Sequence, residues 1–294
     1  MLVRSLSPLF RCLLTAFAVG VAAGPLATTS SQAAGPLSNL NLPGETLEVA
    51  GRPAFILLPP EELRQSPQPW ILYGPTLPAY PDHHERWMHE QFLAAGVAVA
   101  GIDAGEAYGS PRGQALMTAL YEELTTHRQF AAKPCLLGRS RGGLWASSWA
   151  IAHPEHVAGI AGIYPVFDLR TYPGLERAAP AYEMTPAELE AALPQHNPIA
   201  RIDRLAEARI PVCIVHGDDD QVVPLEPNSA TLAARYRDHG ASDAVQLIVA
   251  PGQGHSFWEG FFRCQPLVDF AIERAKAGAA AGKSCPGGCP GLSG

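Results

Sequence analysis

The sequence predicts an α/β fold: a mainly parallel central sheet with helices on both faces and a small helical cap inserted between two core strands. Three observations carry that expectation. Short unbroken apolar runs alternate with segments of helical period from residue 45 to residue 277. One such run, Cys135–Leu137, breaks at Gly138-Arg139-Ser140-Arg141-Gly142 straight into a helical pattern. Polar motifs fall just after the predicted strands, at their carboxyl ends, where open α/β sheets carry ligands.

Residues 1–33 are expected to be a signal peptide. Arg4 and Arg11 make a basic start, Cys12–Ala23 an apolar stretch that stops at Gly24-Pro25, and Ser31-Gln32-Ala33 a small-x-small cleavage site. The apolar stretch is shorter than the roughly 20 residues a membrane span needs, and Cys12 is badly placed for a lipoprotein anchor. The mature protein is therefore expected to be secreted or periplasmic, without a membrane anchor, and residues 34–277 to form one catalytic domain.

Within that domain, Glu45–Val49 and Arg52–Leu58 read as strands joined by a turn at Gly51, and Trp70–Tyr73 as a third. Met88 and Phe92 share one face of a helix that ends at Gly96. Val97–Ile102 is apolar throughout, as a strand buried on both faces must be. Pro111 opens a helix whose buried stripe is expected to be Leu116, Leu120 and Leu124. Strand, sharp turn and helix follow from Pro134 to His153, then a strand at Val157–Tyr164.

From Asp168 to Ile202 the pattern turns polar and helical, with a capping box and a first-turn proline at Thr185-Pro186-Ala187-Glu188. This is the expected cap. Core alternation resumes with a strand at Val212–His216, a helix around Leu232 and Tyr236 stopped by Gly240, a strand at Val245–Val249 and a helix over Leu267–Ala277. Residues 278–294, rich in Ala, Gly, Pro and Ser, are expected to be a flexible tail.

The net charge is −7, and the leader holds Arg4 and Arg11 but no acid, so the cleaved chain is more acidic still. That balance argues against binding nucleic acid or anionic membranes. Of six cysteines, Cys135 and Cys213 sit in strands as small hydrophobes. Cys264, Cys285 and Cys289 could supply one disulfide. Cys285 and Cys289 have no nearby His to complete a metal site, so neither metal nor cofactor is expected.

The chemistry lies in three motifs. Gly-x-Ser-x-Gly places Ser140 at a bend where glycine neighbours allow the chain to double back. His216-Gly217-Asp218-Asp219-Asp220-Gln221-Val222-Val223-Pro224 follows one strand, and Gly254-His255 follows the next. A serine hydroxyl becomes a useful nucleophile when an imidazole accepts its proton and a carboxylate orients that imidazole. The order serine, acid, histidine supplies all three.

These residues resemble the α/β-hydrolase superfamily, from about Glu45 to Ala277. The Ser140-Arg141-Gly142-Gly143 elbow and the His-Gly-x-x-Asp-x-x-Val-Pro pattern are similar to its dienelactone-hydrolase and prolyl-oligopeptidase-like branch, which includes carbohydrate acetyl esterases. The resemblance implies Ser140 as nucleophile, His255 as general base and later acid, and Asp220, four residues past His216, as the orienting acid. Asp218 and Asp168 remain alternatives. It also implies an oxyanion hole from the Arg141 backbone N–H and a donor in Gly74-Pro75-Thr76-Leu77. Pro75 has no N–H, which leaves Thr76 or Leu77.

Arg139 and Arg141 flank the nucleophile. One could meet an anionic substrate group, as in the Ser-Arg elbow of glucuronoyl esterases; pairing with a nearby carboxylate such as Asp103 or Glu106 is the plainer expectation. Tyr73, Tyr80, Tyr108, Tyr164 and Trp258 lie in strand-end loops and could line a pocket, with Arg139, Tyr73 and Trp258 as substrate contacts.

The function expected is a secreted, cofactor-free serine hydrolase that cleaves carboxylic esters, small-molecule or carbohydrate-linked, through an acyl-enzyme. Two other readings stay open: a prolyl-oligopeptidase-like peptidase, and a non-catalytic binding protein on a hydrolase scaffold. Such peptidases usually carry an N-terminal propeller, for which the short lead-in before Glu45 leaves no room. Substrate identity, disulfide pairing and oligomeric state are not encoded in any motif.

Overall fold

Strands β1 (Glu45–Val49) and β2 (Arg52–Leu57) form an antiparallel hairpin, with Glu45 opposite Ile56 and Val49 opposite Arg52. Ala50 and Gly51 turn it with φ of 49° and 72°, the positive pair that a two-residue hairpin loop requires. This is a computed structural model, and it describes residues 40–281. The proposed leader lies outside the described residues, as do Cys285 and Cys289.

The remaining strands are β3 (Trp70–Gly74), β4 (Ala98–Ile102), β5 (Cys135–Arg139), β6 (Gly159–Ile163), β7 (Val212–Gly217) and β8 (Val245–Ala250). The sheet order is β1-β2-β4-β3-β5-β6-β7-β8; β2 meets β4 antiparallel, and from β4 to β8 every pairing is parallel. Strands β3 to β7 are buried along their whole length, which is why their sequences are apolar except for Arg139 and His216 near two carboxyl ends. Edge strand β8 is only partly covered, with Gln246 and Val249 exposed.

Alternation along a strand sorts side chains between two cores. In β3, Trp70 and Leu72 join the cluster beneath α2 (Pro111–Glu122), α3 (Gly142–Ala152) and the helix Thr231–Asp238. Ile71 and Tyr73 point the other way, to Met88 and Phe92 of α1 (Arg86–Ala94) and to Leu267 and Val268 of the last helix, Gln265–Ala281. Burying one such large apolar side chain contributes about 1.5–3 kcal/mol, so each face of the sheet is held by many independent contacts.

Three local expectations need adjusting. The buried side of α2 is Gly113, Met117, Leu120 and Tyr121, continued by Leu124; Leu116 is only half-buried because the stripe is rotated by one residue. The last helix runs through Ala281 rather than stopping at Ala277, because Gly278 lies against the Lys133 carbonyl, where a Cβ would come within 2.0 Å of oxygen. The glycine is there for close packing, not for flexibility. Cys264, offered as a disulfide partner, is a buried free thiol like Cys135 and Cys213.

The insertion after β6 is helical in short pieces. Its clearest start is the box expected at Thr185, whose Oγ1 accepts from the Glu188 N–H at 3.3 Å while Glu188 Oε2 accepts from the Thr185 N–H at 2.8 Å. The cap packs Ala178, Tyr182 and Leu189 against Tyr108, Leu144 and Val223. Two buried asparagines tie it down. Asn197 accepts from Leu169 N–H and donates to Asp168 Oδ1 at 2.8 Å; Asn228 accepts from Phe167 and Asp168 N–H and donates to the Pro224 carbonyl at 2.9 Å.

Candidate active site

The turn after β5 is strained where the chemistry needs it. Ser140 has φ of 51°, an uncommon value for a residue with a Cβ, and its N–H donates to the Ile163 carbonyl while its own carbonyl accepts from Gly143 and Val166 N–H, all at 2.9 Å. The bend holds Oγ clear of the sheet end. Gly142 permits it: a Cβ there would lie 2.1 Å from the Gly74 carbonyl oxygen.

Three side chains meet at this bend from three strand ends. Ser140 Oγ is 2.9 Å from His255 Nε2, and His255 Nδ1 is 2.7 Å from Asp220 Oδ2. A carboxylate only accepts, so Nδ1 carries the ring proton and Nε2 is left to accept from the serine hydroxyl. The Asp220 carboxylate is buried, and its other oxygen accepts from Val222 N–H at 2.9 Å and Val223 N–H at 2.8 Å. Burial pushes its pKa up, but the bonds from His216, His255 and the Val223 amide outweigh it and hold the carboxyl well below the usual range.

Asp218 and Asp168 do other work. Asp218 Oδ1 accepts from the exposed Gly252 N–H, and Asp168 pairs with Arg170 at 2.8 Å. Asp220 alone of these carboxylates reaches His255.

The backbone N–H of Arg141 opens α3 and has no partner among the described residues. Pointing from the first turn of a buried helix, it can face a developing negative charge. The second donor is expected from the loop after β3, at Thr76 or Leu77. Leu77 N–H donates to the Tyr80 carbonyl at 3.4 Å in a tight turn. Thr76 is buried, bridges to Asp103 and donates its hydroxyl to the Tyr73 carbonyl at 3.2 Å. The residue of this loop that reaches the pocket wall is Pro75.

Arg139 is buried at 4 % exposure, and one of its terminal nitrogens pairs with both Asp82, at 2.9 Å, and Glu85, at 3.0 Å. Of the partners expected for the two arginines, Glu106 does bind Arg141, at 2.9 Å, whereas Asp103 binds Arg52 at 3.1 Å. Three rings, Tyr80, Phe257 and Phe262, stand 4.9–5.3 Å from the Arg139 guanidinium. Burial and the two carboxylates act in opposite senses on Arg139, and the carboxylates prevail, so it stays charged.

Two expected substrate contacts lie elsewhere. Tyr73 is buried, with its hydroxyl 2.5 Å from Glu85 Oε1, and completes the Arg139 network behind the wall. Trp258 is exposed outside the pocket, its ring edge-on to Phe261. The pocket itself measures about 210 Å³. Around Ser140 and His255 it is lined by Tyr80 and Tyr164, both among the aromatic residues read from sequence, and by Tyr172 and Phe257, which were not. Tyr164 has φ of 35° and its ring lies 4.3 Å from that of His255. Phe257, two residues past His255, was findable from that spacing; Tyr172, inside the cap, carried no local signal.

Among the described residues, Asp82, His83 and His84 bring ligand atoms within 4.8 Å of one another. Asp82 is already bonded to Arg139 and to the His84 N–H, and a guanidinium so close repels a cation.

Residues 113–268, more than half of the chain, match the prolyl oligopeptidase family. The chain belongs to that family. That family is one of serine hydrolases in the α/β-hydrolase superfamily, and solved structures agree on the fold. A puromycin-hydrolyzing peptidase from Mycobacterium tuberculosis superposes with a TM-score of 0.60 at 17% identity, over 79% of this chain and 40% of that one. Est1E from Butyrivibrio proteoclasticus gives 0.59 at 19%, over 79% and 99%. TT1662 from Thermus thermophilus gives 0.57 at 18%, over 79% and 98%. The chain thus spans less than half the length of the peptidase. No curated protein matches its sequence.

Proposed function

We propose that this protein is a secreted serine hydrolase that cleaves carboxylic esters through an acyl-enzyme on Ser140. The observation that carries the reading is the unbroken chain from Ser140 Oγ to His255 at 2.9 Å and on to Asp220 at 2.7 Å. His255 takes the Ser140 proton as Oγ attacks the carbonyl carbon. The oxyanion faces the Arg141 N–H, and Asp220 stabilises the imidazolium. That imidazolium then protonates the departing alkoxide, and a water deprotonated by His255 releases the acid.

The size of the pocket favours an ester with a short acyl group. At about 210 Å³ it lies below the roughly 300–1,000 Å³ of sites that enclose a drug-sized ligand. The peptidase reading is supported by the family and by the peptidase among the similar folds, so the test sets the two substrates side by side. Purified protein should hydrolyse short 4-nitrophenyl esters faster than prolyl or dipeptidyl 4-nitroanilides, and a fluorophosphonate should label Ser140. Ser140→Ala should remove both. Faster anilide cleavage would make it a peptidase; no turnover and no labelling would end the hydrolase reading. Secretion is tested by the N-terminal sequence of the exported protein, expected to start after residue 33.

A further inference from the structure

Apart from His255, the ionisable groups of opposite sign to a carboxylate that line the pocket are Arg139 and Arg141, and no carboxylate lines it at all. Their acidic partners stand behind or outside the wall. We infer that the pocket selects esters carrying a carboxylate or comparable anion close to the scissile bond, and that the Arg141 guanidinium binds that anion. This rests on the ester-hydrolase reading above and adds the substrate class.

The two arginines are not equivalent. Arg139 is enclosed, compensated by Asp82 and by the fully buried Glu85, and fixed between three rings. It has no charge left to offer. Arg141 has one ion pair, NH1 to Glu106 at 2.9 Å, and Glu106 is 45% exposed. Its Nε and NH2 have no partner among the described residues. A pair whose acid is open to water contributes little and exchanges readily. A carboxylate seated in the pocket would meet the free edge of the same guanidinium, a planar fork suited to two parallel bonds, with less water to compete.

Position makes the exchange productive. Arg141 directly follows the nucleophile, its backbone N–H has no partner among the described residues, and its side chain lines the pocket with Cζ 5.6 Å from the centre of the Tyr80 ring. An anion held there lies within one side chain of the bond to be cut. The anion could belong to the acyl part or to the leaving group, and both present the same chemistry to Arg141.

The test compares matched esters in two arms. 4-Nitrophenyl hydrogen fumarate against 4-nitrophenyl fumaramate places the charge on the acyl side, where the trans double bond keeps the carboxylate from attacking its own ester, and 4-acetoxybenzoate against 4-acetoxybenzamide places it on the leaving group. Each kcat/KM is divided by the rate of hydroxide hydrolysis, and the anionic-to-neutral ratio is read within each variant. In the native protein at least one pair should favour the anion about tenfold or more. Arg141→Gln should bring that ratio to near one. Glu106→Gln, which removes the competing acid, should raise it, and that outcome decides the matter if Arg141→Gln yields no soluble enzyme. The inference is overturned if neither pair shows a preference, if the preference survives Arg141→Gln, or if Glu106→Gln lowers it, in each case while Ser140 still labels and neutral esters still turn over. Absence of labelling and of all turnover would instead overturn the hydrolase reading, and the inference with it.

Discussion

His216 and Val223 close a buried ring around the acid: His216 Nε2 lies 2.8 Å from the Val223 carbonyl oxygen and 3.4 Å from Asp220 Oδ2. A carbonyl only accepts, so Nε2 carries the proton. Nδ1 is then an acceptor, 2.7 Å from Ser229 Oγ, which donates. His216 thus spans the loop that carries Asp220 and anchors it to the segment after Pro224.

His216→Asn should therefore lower kcat by about 10–100-fold with KM nearly unchanged, the range seen when an outer support of a reactive group is lost. Asp220→Asn, which removes the acceptor itself, should cost on the order of 10³–10⁴. Steady-state kinetics on one 4-nitrophenyl ester separate the two. If His216→Asn changed KM alone, the loop would not be what it holds.

Gly142→Ala should be among the most damaging small substitutions in the chain. Its Cβ would lie 2.1 Å from the Gly74 oxygen, 2.3 Å from the Gly74 carbon and 2.5 Å from the Pro75 nitrogen. All are backbone atoms, so no side chain can swing aside, and β3 and α3 must part. A loss of about 3 kcal/mol or more is expected, readable as a lower urea midpoint, together with loss of fluorophosphonate labelling at Ser140. A variant of native stability would show that the strand and helix are freer to separate than this contact implies.

Arg139→Met should destabilise the fold by about 3–5 kcal/mol, because it leaves Asp82 and the buried Glu85 without their cation. Pairing it with Glu85→Gln should recover part of that loss, since the buried charge goes with it. Denaturant unfolding of the single and double variants measures the difference. Equal losses in both would mean that ring packing, rather than charge, is what Arg139 supplies.

Acid should weaken the protein through Asp168 and Asp220, both held below the ordinary carboxylate pKa. For Asp168 burial acts upward, and the bonds from Arg170 and Asn197 prevail. A depressed native pKa means that stability is complete above the unfolded value of about 3.9 and is lost as pH falls below it toward the native values, because the unfolded chain binds protons first. The urea midpoint should fall between about pH 5 and pH 2. Asp168→Asn should start lower and fall less. An equal fall in both would remove Asp168 from the account.

The strand, elbow and helix around Ser140 were legible because their signals are local: an apolar run, glycines at the turn, a helical period after it. The acid was legible as a motif but not from its neighbours, since Asp218, Asp219 and Asp220 are chemically alike. Geometry separates them, because Asp220 alone of the three turns toward His255 and the Val223 amide. Asp82 and Glu85 form a capping box. The bond from Arg139 to Asp82 joins residues 57 positions apart in the chain, which no local pattern encodes.

Residue order and periodicity thus determined the layered α/β architecture and put a serine, a run of aspartates and a histidine each just past a strand end, because both depend on which side chains a strand or helix must bury. Tertiary structure alone decided which arginine is sealed by buried acids and which keeps a free edge, that Tyr73 supports Glu85 rather than a substrate, and that the Leu77 N–H is bonded to the Tyr80 carbonyl. Those outcomes depend on which groups long-range packing brings within about 3 Å, the distance at which a hydrogen bond or ion pair forms.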